Sequence, residues 1–163
     1  STSRTAESSA LRMPSVSNSK ENPMSALYTA VATATGDGRN GEARTSDGLL
    51  EVDLAVPTEM GGAGGATNPE QLFAVGYAAC FHSALKMVAR QAKVEISDSA
   101  VTSEVSINPN EEGGFQLSVA LHVEMSGVDQ AMADKLVQEA HQVCPYSNAT
   151  RGNIEVDVDA VVG

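Results

Sequence analysis

Thr67-Asn68-Pro69-Glu70-Gln71-Leu72-Phe73-Ala74-Val75-Gly76-Tyr77-Ala78-Ala79-Cys80-Phe81 opens like a helix and then stays apolar on nearly every face. Thr67 and Glu70 have capping-box spacing, and Pro69 suits the first turn, where its missing N–H costs nothing. The pattern predicts a helix running to about Gln91. Leu72, Phe73, Gly76, Ala79, Cys80, Ser83, Ala84, Met87 and Val88 recur at helical spacing, while Val75, Ala78, Phe81 and Leu85 occupy the other faces. A helix that is apolar nearly all round belongs in the middle of a fold, covered on several sides.

What covers it is read outward from that stretch. Upstream, Leu27 to Thr35 is rich in Thr, Val, Ala and Tyr, and Gly36-Asp37-Gly38-Arg39-Asn40-Gly41 is a turn cluster. Glu42 to Thr45 reads as the returning strand, with a second turn at Ser46-Asp47-Gly48. Val52, Leu54 and Val56 then alternate with Glu51, Asp53 and Ala55. These segments predict a three-stranded antiparallel meander. The glycine loop from Met60 to Ala66 lacks the Lys-Ser/Thr that a phosphate-cradling loop requires, which argues against a nucleotide site. Downstream, Val101 to Ile107 and Phe115 to Met125 read as strands joined by a turn at Asn108 to Gly114. Asp129 opens a second helix reaching about Val143, which Pro145 limits. Ile154, Val156 and Val158 alternate with acidic residues in a final strand. The order β-β-β-α-β-β-α-β predicts an α+β fold, with mainly antiparallel sheets packed around a long central helix.

Apolar residues make up 42% of the chain and charged residues 19%, an ordinary balance for a soluble domain. Leu72 to Phe81 is the longest apolar run, interrupted by Gly76 and well short of a bilayer span. The net charge of −11 is unevenly placed: residues 1–23 carry +1, which leaves −12 on the remainder. So acidic a body is repelled by phosphate backbones and anionic lipid, which counts against nucleic-acid and membrane partners. Residues 1–23 are rich in Ser, Thr, Asn and Pro, with neither apolar periodicity nor the h-region of a secretory signal. They read as a disordered extension or a cloning remnant ahead of a single domain over residues 24–163, and Met24 is a candidate first residue.

Two cysteines, Cys80 and Cys144, allow a structural disulfide, two inert core thiols or a redox pair. No CxxC motif or Cys/His cluster has zinc spacing, so no metal site is expected. Cys80 lies deep in the apolar helix, where burial raises a thiol's pKa, and it becomes reactive only with a cation nearby. His82 points to another face and Lys86 is one and a half turns away, so that cation must come from elsewhere in the fold. Cys144 ends a helix before a proline, a position suited to a resolving thiol and equally to a core cysteine. His141, three residues earlier, offers a weaker alternative, a nucleophilic Cys–His dyad.

The stretch Thr67 to Phe81, together with Cys144-Pro145-Tyr146-Ser147-Asn148-Ala149-Thr150-Arg151-Gly152-Asn153, resembles the signatures of the organic hydroperoxide resistance (Ohr) proteins of the Ohr/OsmC superfamily. Leu27-Tyr28-Thr29-Ala30 and Gly38-Arg39-Asn40-Gly41 fit the same family, so the resemblance covers roughly residues 26–162. The run from Pro145 to Asn153 is more similar to the Ohr branch than to the OsmC branch.

The resemblance implies an OsmC-like fold in an intertwined homodimer, and a thiol peroxidase that reduces organic hydroperoxides as an oxidative-stress defence. It places the peroxidatic cysteine at Cys80, the resolving cysteine at Cys144, the catalytic arginine at Arg39 and the catalytic glutamate at Glu70. It implies a lipoyl dithiol, free or carried by a protein, as reductant, and no metal, haem or flavin. Phe73, Phe81 and Met60 are candidates to line an apolar substrate pocket. Ten residues of helix put Glu70 and Cys80 about 15 Å apart along the axis and about 280° apart around it. Two such side chains cannot share a site on one straight helix. Arg39 and Glu70 are therefore expected from one subunit, and Cys80 and Cys144 from the other. The thiol chemistry and the absence of a signal favour the cytoplasm. An OsmC-type peroxidase with broader preference and a one-shot redox sensor are the competing readings.

Overall fold

The computed structural model describes residues 25–163, so the extension read at residues 1–23 lies outside the described residues. The described residues divide into two compact units, one ending at residue 66 and the other spanning 67–163.

In the first unit, β1 (Ala32–Thr35), β2 (Glu42–Thr45) and β3 (Glu51–Asp53) form the expected antiparallel meander, in the order β1-β2-β3. Thr35 pairs with Glu42 and Ala43 with Val52. The first strand is shorter than its composition suggests. Ala32 already faces Thr45, and the chain turns away at Ser46, whose N–H bonds the Val31 carbonyl. Beyond that bond no ladder runs opposite Leu27 to Ala30 among the described residues, and β propensity without a partner strand does not make a strand. Leu27 and Tyr28 are exposed. Between β1 and β2 a one-turn 3-10 helix, Gly38–Asn40, carries Arg39. Gly41 closes it because nothing larger fits: a Cβ there would stand 2.2 Å from the Thr35 carbonyl oxygen.

The second unit holds α1 (Pro69–Gln91), β4 (Asp98–Pro109), β5 (Phe115–Ser126), α2 (Gln130–Val143), α3 (Pro145–Thr150) and β6 (Val156–Val162). β4 and β5 pair antiparallel over their full length, from Asp98 opposite Ser126 to Pro109 opposite Phe115. β6 lies on the other side of β5 and runs parallel to it, Val119 opposite Val156. The helical crossover through α2 and α3 returns the chain to the starting end of the sheet, which is what a parallel pair requires. One face of this sheet packs on α1 and α2. Tyr77, Phe81, Leu85 and Val88 from α1, Leu121 and Val123 from β5, and Leu136 and Val137 from α2 are its buried core. By length and composition α1 could cross a membrane, but this stripe is sealed inside the second unit and makes α1 a core helix.

The start of α1 differs from the capping box read from sequence. Asn68 is the N-cap, its side-chain oxygen accepting the Gln71 N–H at 2.9 Å, and Pro69 takes the first helical position. Proline forces the residue before it into extended backbone, the N-cap conformation, and asparagine caps better than threonine. Thr67 instead donates its hydroxyl to Gln71 Oε1 at 2.7 Å. At the other end of the unit, Pro145 stops α2 as expected and then starts α3. Cys144, with φ −65° and ψ 124°, is at once the C-cap of α2 and the N-cap of α3.

Candidate active site

Cys80 lies halfway along α1, and Cys144 fills the extended joint between α2 and α3. The fold brings their sulfurs to 3.7 Å, with the Cys144 thiol donating to Cys80 Sγ. Both are free thiols, Cys144 fully buried and Cys80 partly exposed. That separation is van der Waals contact between two reduced sulfurs; a disulfide needs about 2.05 Å. A partly open sulfur with a buried one behind it can meet a solute first and its partner second.

Burial pushes the Cys80 thiol above the ordinary cysteine value. The backbone N–H of Tyr146, at the start of α3, bonds to the sulfur and pulls in the other direction, and the adjoining Cys144 pushes up again. The upward causes win, so this thiol needs added positive charge to ionise at neutral pH.

An aromatic cluster walls the site. Phe73 meets Tyr77 edge-on at 6.1 Å between ring centroids and Tyr146 at 5.7 Å; Tyr77 and Tyr146 are 5.5 Å apart. Tyr146 lies against α1 only because residue 76 is glycine: a Cβ at Gly76 would stand 2.5 Å from the Tyr146 hydroxyl oxygen. Beyond Phe73 a cleft of about 500 Å³ is lined by Phe115, Leu117, Thr150 and Ile154, among others.

Beneath the cysteines lies a hydroxyl network that sequence reasoning missed. The fully buried Ser147 hydroxyl is 2.7 Å from the Tyr77 hydroxyl and 2.8 Å from His141 Nδ1. Thr150 Oγ1 joins Tyr77 at 3.1 Å. Arg151 braces the outside, donating to the His141 carbonyl at 2.9 Å and to Asn148 Oδ1 at 2.6 Å. His141 therefore directs its Nδ1 to Ser147. Burial first, and the Arg151 charge second, hold His141 below the ordinary histidine value. Tyr146, Asn148 and Arg151 were legible as motif positions, but spacing alone gives no sign of what a serine hydroxyl meets.

The other candidates fall as follows. Arg39 sits in the 3-10 turn of the first unit, half-buried. Met60 ends the 3-10 turn Thr58–Met60 of that unit and is exposed. Glu70 is half-buried in the first turn of α1, where the helix dipole favours a carboxylate. Phe73 is half-buried at the aromatic wall, whereas Phe81 is wholly buried in the core. His82 bonds Ser99 Oγ on β4 at 2.8 Å, away from the sulfurs.

A family model described as OsmC-like protein matches residues 62–159. An organic hydroperoxide resistance protein of Xanthomonas axonopodis pv. citri is 54% identical over 136 residues, which are 82% of this chain and 94% of that protein. OhrB of Bacillus subtilis is 46% identical over 135 residues, 82% of this chain and 98% of that one. The crystal structure of an organic hydroperoxide resistance protein from Legionella pneumophila matches with a TM-score of 0.82 at 56% identity, covering 85% of this chain and 100% of that chain. The chain belongs to the OsmC-like family. Within it, the chain groups with the organic hydroperoxide resistance proteins, as its two cysteine motifs predict.

Proposed function

We propose that this protein is a cysteine-based peroxidase that reduces organic hydroperoxides and serves in oxidative-stress defence. The observation that carries the reading is the pair of free thiols in contact at 3.7 Å, one partly open and one buried, in a chain whose relatives are named for organic hydroperoxide resistance. In this reading the Cys80 thiolate attacks one peroxide oxygen, the O–O bond breaks, an alcohol leaves, and Cys80 becomes a sulfenic acid. Cys144 then condenses with it, expelling water and forming the Cys80–Cys144 disulfide, which protects Cys80 from further oxidation. A lipoyl dithiol, as dihydrolipoamide or on a protein partner, reduces the disulfide by thiol exchange.

Arg39 supplies the positive charge that partly buried Cys80 needs and hydrogen-bonds the peroxide oxygens, while Glu70 holds the guanidinium by a two-pronged ion pair. Residues 24–163 act as one peroxidase domain in this reading. Because Glu70 and Cys80 stand ten residues apart on one helix, Arg39 and Glu70 of one subunit serve the cysteines of its partner in a homodimer. Phe73 offers the organic group of the substrate an apolar wall backed by core residues that include Phe81, and Met60 is a further candidate to meet it. The protein acts in the cytoplasm, without a metal or an organic cofactor.

The test is turnover of tert-butyl hydroperoxide with dihydrolipoamide, in wild type and in Cys80→Ser. Sustained turnover in the wild type and none in the variant is expected. A folded, reduced wild type that consumes no peroxide would rule the reading out. Slower turnover of hydrogen peroxide than of the organic peroxide is expected on the same grounds.

A further inference from the structure

We infer that Ser147 is a positioning residue for the second half of this reaction: its hydroxyl ties α3 to both α1 and α2 and so keeps Cys144 seated on Cys80. The inference rests on the peroxidase reading above, and it concerns how the disulfide closes rather than how the peroxide is attacked.

The geometry is a three-element clasp. Tyr77 stands one turn before Cys80 on α1, and His141 stands one turn before Cys144 on α2. Ser147 stands one turn after Cys144 on α3 and touches both, at 2.7 Å and 2.8 Å. Each helix that presents a reactive sulfur is thus fastened to the same oxygen, a turn away from its own cysteine. A hydroxyl offers one proton and two lone pairs, so Ser147 can donate to Tyr77 while accepting from a protonated His141 Nδ1. Tyr77 and Ser147 are both fully buried, and neither can exchange its partner for bulk water without opening the core. Thr150 adds a second contact to Tyr77 at 3.1 Å and returns its own hydroxyl to the Ser147 carbonyl at 3.3 Å. Cys144, by contrast, has its thiol on Cys80 and is otherwise held by backbone, its N–H on the Ala140 carbonyl and its carbonyl on the Asn148 N–H. Its sulfur goes where the joint between α2 and α3 goes, and the clasp holds that joint.

The consequence falls on a competition. Once Cys80 carries a sulfenic acid, two fates are open. In one, Cys144 loses its thiol proton, its sulfur bonds the Cys80 sulfur, the S–O bond breaks and the oxygen leaves as water. In the other, a second hydroperoxide molecule transfers an oxygen to the sulfenic sulfur, giving a sulfinic acid and an alcohol. Both fates start from the same species, so their ratio is independent of how fast that species formed. A loosened α3 slows the first fate and leaves the second untouched.

The experiment treats reduced wild type, Ser147→Ala and Tyr77→Phe with rising tert-butyl hydroperoxide, without reductant, and reads disulfide against sulfinic and sulfonic acid by intact mass. Both variants are expected to overoxidise at roughly fivefold lower peroxide than the wild type, the factor that one ordinary buried hydrogen bond is worth. Tyr77→Phe keeps the ring and its packing, so it decides the matter if Ser147→Ala does not fold. Variants that partition like the wild type overturn the inference, even if their melting temperatures fall, because a merely structural serine changes stability and not the ratio. If the wild type itself forms no disulfide, the peroxidase reading fails and this inference with it; if it forms one and the variants match it, only the positioning role fails.

Discussion

At the scale of single residues, the central problem is a proposed nucleophile in an unfavourable place. Burial raises the Cys80 thiol, and the Tyr146 N–H offsets only part of that rise. A raised thiol pKa leaves little thiolate at neutral pH, and the thiolate fraction grows as pH climbs toward that pKa. If Arg39 supplies the missing charge, Arg39→Ala should slow peroxide consumption at neutral pH by more than about tenfold, which is one pKa unit. The same variant should recover part of that loss as pH rises, and the wild type should gain less over the same range. Rates across pH, read beside the ultraviolet absorbance of the thiolate, check this; a variant with the wild-type profile would assign the charge elsewhere. The cysteines, Arg39 and Glu70 are candidates from sequence because their flanking motifs resemble those of the family. Ser147 and Tyr77 gained no role, and His141 only that of a weaker dyad partner to Cys144, because hydrogen bonds spanning 70 and 6 residues are set by packing rather than by any local pattern.

At the scale of elements, what was legible is what local physics determines. α1 and α2, with Pro69 and Asp129 at their starts, and the long β4–β5 hairpin follow from periodicity and caps, to within a few residues at their ends. The truncated β1, the separate α3 and the parallel β6 depend on what lies opposite, and composition does not report that. The α1–α3 contact gives a direct prediction. Gly76→Ala gains about 1 kcal/mol of helix propensity, but its Cβ meets the Tyr146 hydroxyl at 2.5 Å, on a ring already fixed by Phe73 and Tyr77. Overpacking should win, lowering stability by about 1–2 kcal/mol in denaturant melts; a variant at least as stable as wild type would mean that Tyr146 swings aside freely. The sheet offers a second check. On its outer face His122 bridges Asp159 Oδ2 on β6 at 2.7 Å and Glu104 Oε2 on β4 at 3.2 Å. Those carboxylates, Glu104 foremost, hold His122 above the ordinary histidine value, whereas burial holds His141 below it. An NMR titration of the imidazoles should therefore show His141 losing its proton first as pH rises and His122 later, with the reverse order refuting both environments.

At the scale of the whole molecule, the question is which subunit supplies each residue of the proposed site. Helix arithmetic answers for Glu70 and Cys80: α1 is one continuous helix from Pro69 to Gln91, so ten residues put about 15 Å of rise between them. Exposed apolar side chains at Leu27, Tyr28, Leu49, Val75 and Phe115 are the kind of surface that a subunit interface would bury. A dimer in which Arg39 and Glu70 reach across to the partner's cysteines makes a prediction that no single-subunit site can match. Arg39→Ala and Cys80→Ser chains should each be nearly inactive alone. Unfolded together in equal amounts and refolded, half of the dimers should be mixed. In each mixed dimer one site carries both lesions, while the other combines an intact Arg39 from one chain with an intact Cys80 from the other. The mixture should therefore regain about a quarter of wild-type turnover. If both groups instead come from the same chain, every site in every dimer keeps one lesion, and mixing restores nothing.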